Sequence, residues 1–381
     1  MVVKLADDMV TPLALGTEAN YEAIRRGLGS LRRHEALWQL PMPCVASCME
    51  PGVLEAACAA EHIGQEYTRF ERMCLLATVR ALRQAGVDAR SPRTLFVLST
   101  TKGNVHLLDA RFTHHFAPQR VTPAASAQAV AQWFGNSRTP LVVCNACISG
   151  LHAQLLAARL IEQGSCDTVV VTGADMLSPF IVSGFQSLLA LSPEPCRPFD
   201  EERIGLNLGE AAACVVYGRA PQTQDTRWQL CTGAVCNDAY HISAPSRTAE
   251  GYVQAVQNAM HGAEPSELAF VCAHGTATLY NDEMEAVGLT RAGLQQVPVC
   301  SFKGYFGHTM GAAGVVETLL SMQAIDHGMV PATKGYACSG VSRRLLVSGE
   351  WRTTTQRAFI KTISGFGGCN AAVLFRKGGV A

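Results

Sequence analysis

Three stretches of this sequence combine residue types that could do nucleophilic chemistry. The first is Val142-Val143-Cys144-Asn145-Ala146-Cys147-Ile148-Ser149-Gly150-Leu151-His152. A short apolar run from Thr139 to Val143 leads into it. Leu151, Leu155, Ala158 and Ile161 then fall at helical spacing up to Gly164, and Thr168 to Thr172 begins another strand. The pattern predicts a thiol at a strand-to-helix junction. Unpaired N–H groups and a partial positive charge at a helix N-terminus bias a cysteine there toward thiolate, the form that attacks carbonyl carbon. Cys147 is therefore a candidate nucleophile. It competes with a plainer reading, because the chain has 15 cysteines and most must be small core residues. Cys144 and Cys147 also form a C-x-x-C pair, the spacing of a redox dithiol or half a zinc site. No second C-x-x-C completes a zinc site, and Cys144, at the end of the apolar run, reads as a core residue.

The second stretch is Ala273-His274-Gly275-Thr276-Ala277-Thr278, after the strand-like Leu268 to Cys272. The third runs from Ser301-Phe302-Lys303 through Gly307-His308-Thr309-Met310-Gly311-Ala312-Ala313-Gly314, with helical spacing beyond it at Val315, Leu319 and Leu320. Acyl chemistry at a thiol needs bases or hydrogen-bond donors close by, and imidazoles among small and hydroxylic residues suit that role. A further glycine-rich piece, Ser364-Gly365-Phe366-Gly367-Gly368, lies between two strand-like runs, where its backbone N–H groups could approach a substrate. Each loop alone is a weak signal, since a lone histidine is more often structural.

These loops need a scaffold, and the rest of the chain reads as alternating strands and helices. A short strand opens it, followed by a Thr11-Pro12 turn and a helix near Glu18 to Leu28. Helices are predicted near 66–85 and 125–134, a buried strand at Thr94 to Ser99, and apolar helical signal over 176–196. The strand over 209–218 is echoed by the small-residue entry into residues 367–376. The polar stretch Pro221 to Thr226 is the best linker, which divides the chain into 1–220 and 228–381 within an α/β architecture.

Composition narrows the function classes. Of 381 residues, 48% are hydrophobic and 16% charged, against about a quarter charged in typical domains. So little charge predicts a large contact with another subunit. The net charge of zero gives no field to recruit nucleic acid. The arginines at 25, 26, 32 and 33 read as a solvated face. Met1 to Asp8 lacks the apolar core of a signal peptide, and Leu141 to Ile161 is too interrupted by polar residues for a membrane span. An odd number of irregularly spaced cysteines suits a reducing compartment, so a cytoplasmic location is expected.

Taken in order, the motifs resemble those of the β-ketoacyl synthases, condensing enzymes of the thiolase fold, over nearly the whole chain. Asn-Ala-Cys147-Ile-Ser-Gly-Leu-His is similar to the family's nucleophile motif. His274-Gly-Thr-Ala-Thr with Asn281, Asp282 and Glu285 resembles its first histidine motif; Lys303, Gly307-His308-Thr-Met-Gly-Ala-Ala-Gly and Glu317 resemble its second. Gly365-Phe366-Gly367-Gly-Cys-Asn370 resembles its closing loop, and Arg197-Pro198-Phe199-Asp200, Gly209-Glu210 and Asp238-Ala239-Tyr240-His241 also match.

The resemblance implies two βαβαβαββ halves in a five-layer αβαβα stack, normally dimeric, with an identical or related subunit. It implies decarboxylative Claisen condensation of an acyl group on Cys147 with a malonyl thioester, delivered on the phosphopantetheine arm of an acyl carrier protein. His274 and His308 would bind the malonyl thioester carbonyl, and the Cys147 and Phe366 N–H groups would form an oxyanion hole. Lys303 and Glu317 would pair as electrostatic support. Thr276 and Thr278 would bind the pantetheine arm, with Gly365 and Gly367 beside the substrate. Asp282 and Glu285 read as turn and helix-start structure. No tightly bound cofactor and no catalytic metal are implied.

The sequence departs from the pattern at Ile148, where a smaller residue is usual and which could narrow the acyl pocket. Ala277 replaces a common glycine, and the first strand turn lacks its glycines. The alternative function is a non-catalytic chain-length partner subunit, against which the intact Cys147, His274, His308 and Lys303 argue. A thiolase would use a second cysteine near the C-terminus, and the setting of Cys369 lacks that pattern.

Overall fold

Alternation along the strands decides the layering. In the strand Ala211–Arg219, Ala211, Ala213, Val215 and Tyr217 join one core, while Ala212, Cys214 and Val216 join another. A strand buried on both faces must have helices on each side. The computed structural model describes residues 1–40, 42–112, 116–220 and 225–379. Its first half runs β1 (Val2–Val10), α1 (Arg69–Ala85), β2 (Thr94–Ser99), α2 (Pro123–Trp133), β3 (Leu141–Val143), α3 (Ser149–Glu162), β4 (Thr168–Asp175) and β5 (Ala211–Arg219). The second half repeats the plan: β6 (Trp228–Asn237), α4 (Glu250–Ala259), β7 (Leu268–Cys272), α5 (Leu279–Arg291), β8 (Pro298–Cys300), α6 (Ala313–Asp326), β9 (Ala358–Gly365) and β10 (Cys369–Lys377).

The spatial orders β3-β2-β4-β5-β1 and β8-β7-β9-β10-β6 are the same permutation, so the echo between residues 209–217 and 367–376 marks equivalent strands β5 and β10. Outer helices α1 and α2 cover the first half's strands and α4 and α5 the second's; α3 and α6 lie in a shared core between the inward faces. This is the five-layer thiolase fold. The halves are less separate than the linker suggests. β1 pairs antiparallel with β6 at Val2–Leu230 and Val3–Gln229, which joins both sets of strands into one 11-stranded sheet. Of the predicted linker, residues 221–224 lie outside the described residues.

Local chemistry sets the helix ends that matter. Thr68 and Glu71 form a reciprocal capping box that starts α1, and Gly86 ends it in the left-handed region. The predicted helix over 176–196 is shorter, Pro179–Ser187, and Leu188 and Leu189 beyond it are exposed. At the centre, α3 and α6 touch backbone to backbone. A Cβ on Gly314 would lie 2.3 Å from the Leu151 nitrogen, and one on Gly150 2.9 Å from the Gly311 carbonyl oxygen. Among the described residues, no helix is long and apolar enough to cross a membrane.

Candidate active site

The β3–α3 connection is a tight elbow. Ala146 takes φ +44°, the Asn145 N–H donates to Ser149 Oγ at 2.8 Å, and the Ser149 hydroxyl donates to the Ala146 carbonyl at 2.6 Å. Cys147 sits at the tip, buried, facing a cavity of about 330 Å³. The expected thiolate bias is not what results. Burial pushes the Cys147 thiol up to about 12; neighbouring Cys369 adds to the rise and Lys303 opposes it. Cys147 precedes the first residue of α3 by two positions, and loss of water outweighs the helix end's partial charge.

His274, just past the end of β7, and His308, between β8 and α6, both line this cavity. The Cys147 sulfur and a ring nitrogen from each histidine lie within 4.8 Å of one another, and the rings meet edge to face with centroids 5.0 Å apart. His308 Nδ1 accepts the Met310 N–H at 3.3 Å, which places the neutral ring's proton on Nε2. That Nε2 is buried and has no partner, an available donor beside the thiol. Burial first, then the Lys303 charge, lowers both histidines well below the ordinary imidazole value, so both rings are neutral near pH 7. A thiolate sulfur and two imidazole nitrogens at this spacing also form a donor set a zinc ion could use.

Behind the histidines lies a fully buried ion network. Lys303 Nζ donates to the His274 carbonyl at 2.6 Å and to Glu317 Oε1 at 2.7 Å, as the motif pairing leads one to expect. Lys361 occupies the other carboxylate oxygen, Oε2, at 2.7 Å. Burial works against Glu317's charge, yet the Lys303 and Lys361 ammoniums hold it below the usual carboxylate range. Asp282 and Glu285 are structural, as read from the sequence. Glu285 accepts the His274 and Gly275 N–H groups, and Asp282 accepts those of Phe199, Thr276 and Ala277, which pins the histidine loop.

Thr276 and Thr278 line the cavity with their hydroxyls 2.9 Å apart. Gly365 passes so close to the nucleophile that an added Cβ would lie 3.1 Å from the Cys147 nitrogen, which brings the adjoining Phe366 backbone to the elbow. The Phe366 ring stacks on Phe185 at 5.8 Å and is 40% exposed at the cavity mouth. Gly367 also lines the cavity, but its N–H donates to the Ile242 carbonyl at 2.7 Å. Two readings need correction. Ile148 is fully buried in the central core and is absent from the cavity wall, because the elbow residue that caps α3 faces inward. Cys144 is exposed, because β3 is the sheet's edge strand.

Sequence reasoning missed three charged residues. Lys361 interrupts the apolar run of β9, and that lone charge was its signal. Lys102 and Asp175 form a buried ion pair at 2.8 Å, and Asp175 also accepts the Gly311 and Thr101 N–H groups. An acid closing the apolar strand β4 and a lysine in the loop after β2 were the visible marks.

Two family models match the chain: "Beta-ketoacyl synthase, N-terminal domain" over residues 54–222 and "Beta-ketoacyl synthase, C-terminal domain" over 230–337. The 3-oxoacyl-[acyl-carrier-protein] synthase 2 of Vibrio cholerae is 29% identical, with 81% of this chain and 82% of that protein aligned. A putative polyketide beta-ketoacyl synthase 1 of Streptomyces halstedii is 28% identical over 80% of this chain and 81% of its own. In fold, the chain is similar to a ketosynthase, ApeO, solved in complex with its chain length factor ApeC from Xenorhabdus doucetiae. The TM-score is 0.88 at 23% identity, covering 99% of this chain and 98% of that one.

Proposed function

Because the chain belongs to the β-ketoacyl synthase family, we propose that it joins an acyl group held on Cys147 to a malonyl unit carried by an acyl carrier protein. The chain is an acyltransferase of the 3-oxoacyl-[acyl-carrier-protein] synthase type. The observation that carries the mechanism is the convergence of Cys147, His274 and His308 on one cavity, with neutral rings and an unpartnered His308 Nε2.

In the first half-reaction the Cys147 sulfur attacks the acyl thioester. The thiol's proton goes to the departing phosphopantetheine sulfur, in keeping with a resting group that burial holds protonated. The negative oxygen of the tetrahedral intermediate takes the Cys147 and Phe366 N–H groups, donors commonly worth about 3 kcal/mol each. The malonyl thioester then enters with its carbonyl oxygen at the two imidazole N–H groups. The C–C bond to its carboxylate breaks, carbon dioxide leaves, and the electron pair becomes the enolate those donors stabilise. The enolate carbon attacks the acyl carbonyl, and collapse expels the Cys147 sulfur as a thiolate, which takes up one proton from solvent.

Thr276 and Thr278, on the cavity wall, are suited to hold the pantetheine arm, a substrate rather than a resident cofactor. The reading requires no metal. It takes the carrier protein as one partner and an identical or related ketosynthase-like subunit as another. The 15 cysteines suit a cytoplasmic setting. Mass spectrometry of the protein after incubation with a panel of acyl-carrier thioesters tests the reading. An acyl increment on Cys147, discharged to a 3-oxoacyl product when malonyl-carrier is added and lost in Cys147→Ala, is expected. No adduct from any member, beside an active control enzyme, would overturn it.

A further inference from the structure

Lys361 lies in the middle of β9, fully buried, where its neighbours Phe359, Ile360 and Ile363 are core residues. Its ammonium reaches the Cys272 and Ala273 carbonyls at 3.2 Å each and the Thr362 carbonyl at 2.8 Å, besides Glu317 Oε2. Lys303 takes the next carbonyl in line, that of His274. Three successive carbonyls at the end of β7 are thus gripped by two lysines that share one carboxylate.

We infer that Lys361 is a positioning residue for the decarboxylation step. It fixes the β7 end from which His274 projects, and it adds a second buried positive charge that one Glu317 carboxylate does not cancel. The inference rests on the condensing-enzyme reading and deepens it. A group this deep, without access to the cavity, acts through the histidines rather than on substrate. An uncancelled positive charge favours the enolate, which is negative, over the neutral thioester carbonyl. It also disfavours an imidazolium; burial and Lys303 act on both rings first, and Lys361 adds to them. The other titratable groups around Lys361 are the Cys272 thiol on β7, the Cys300 thiol on β8 and Glu285 on α5; against burial, the Cys300 hydrogen bond and then the Lys361 charge draw the Cys272 thiol below its ordinary value, so it offsets part of that charge. Burial raises Glu285 to about 7, so near neutral pH it offsets that charge only in part.

The experiment compares Lys361→Met with the unaltered protein in the two half-reactions. Acylation of Cys147, read by mass spectrometry, stays within threefold. Malonyl-carrier decarboxylation falls at least tenfold in kcat with KM within threefold, and its acid limb lies at higher pH than in the unaltered protein. The double variant Lys361→Met with Glu317→Gln leaves Lys303 as the remaining ammonium of the network and recovers at least fivefold over the single variant. Equal loss in both half-reactions, or a double variant no better than the single one, would overturn the inference. The His274 ring titration, followed by NMR of histidine-labelled protein and assigned by loss in His274→Asn, reads the coupling without any turnover. It moves up in Lys361→Met, and a ring unmoved in a folded variant overturns the inference even if the condensing activity itself is absent.

Discussion

His308 shows how a single residue's surroundings set its chemistry. One ring nitrogen is committed to the Met310 N–H, the other carries a proton into the cavity, and burial with adjacent lysines keeps the ring neutral. A neutral donor is needed at every pH at which the enzyme works, so decarboxylation of malonyl-carrier should not decline between pH 7.5 and 6.5. Carbon dioxide release in buffers of constant ionic strength checks this, and a fall centred on 6.5 contradicts it. The same displacement has a cost in stability. Below about 6.5 the unfolded chain binds protons on these rings that the folded chain refuses, so stability drops as pH falls through that value. Loss of the higher-pH plateau in a melting series on the acid side of 6.5 is the expected trace.

At the scale of elements, the crossing of α3 and α6 decides whether Cys147 and the histidines meet. Gly314→Ala drives a methyl group into the Leu151 backbone, where no rotamer can relieve it. Such overpacking costs about 3 kcal/mol, measurable by urea unfolding, and separates the sulfur from the rings, so turnover falls more than stability. The β3–α3 and β8–α6 junctions were legible in the sequence because their signals are local: small residues, a turn and a change of apolar period. Other features required the fold. Lys361 in Phe359-Ile360-Lys361-Thr362-Ile363 reads as one polar residue on an alternating strand until α6 brings Glu317 against it. Ile148 looked like a pocket residue because it follows Cys147, yet at the elbow before α3 it turns into the central core. Cys144 ends an apolar run that reads as a central strand, but β3 has a neighbour on one side only and Leu141 is 37% exposed.

For the whole molecule, the shared core and the β1–β6 pairing make the halves interdependent. Residues 1–220 alone would leave the inner faces of α3 and β5 without the second half's apolar cover. That fragment is expected to lack fixed tertiary structure, and co-expression with residues 225–381 should restore it. Near-UV circular dichroism and soluble yield check both statements; a cooperatively folding isolated fragment would contradict them. Equivalent strands occupy equivalent places in both halves, so the β3–α3 and β8–α6 connections are counterparts. One presents a sulfur that can accept an acyl group, while the other presents Lys303 and His308. Two copies of one folding plan therefore divide the labour: the first supplies the nucleophile and the second supplies the hydrogen-bond donors. Two identical halves would give two thiols with no donors or two sets of donors with no thiol. The reactive centre exists because the plan repeats and the residues placed on it do not.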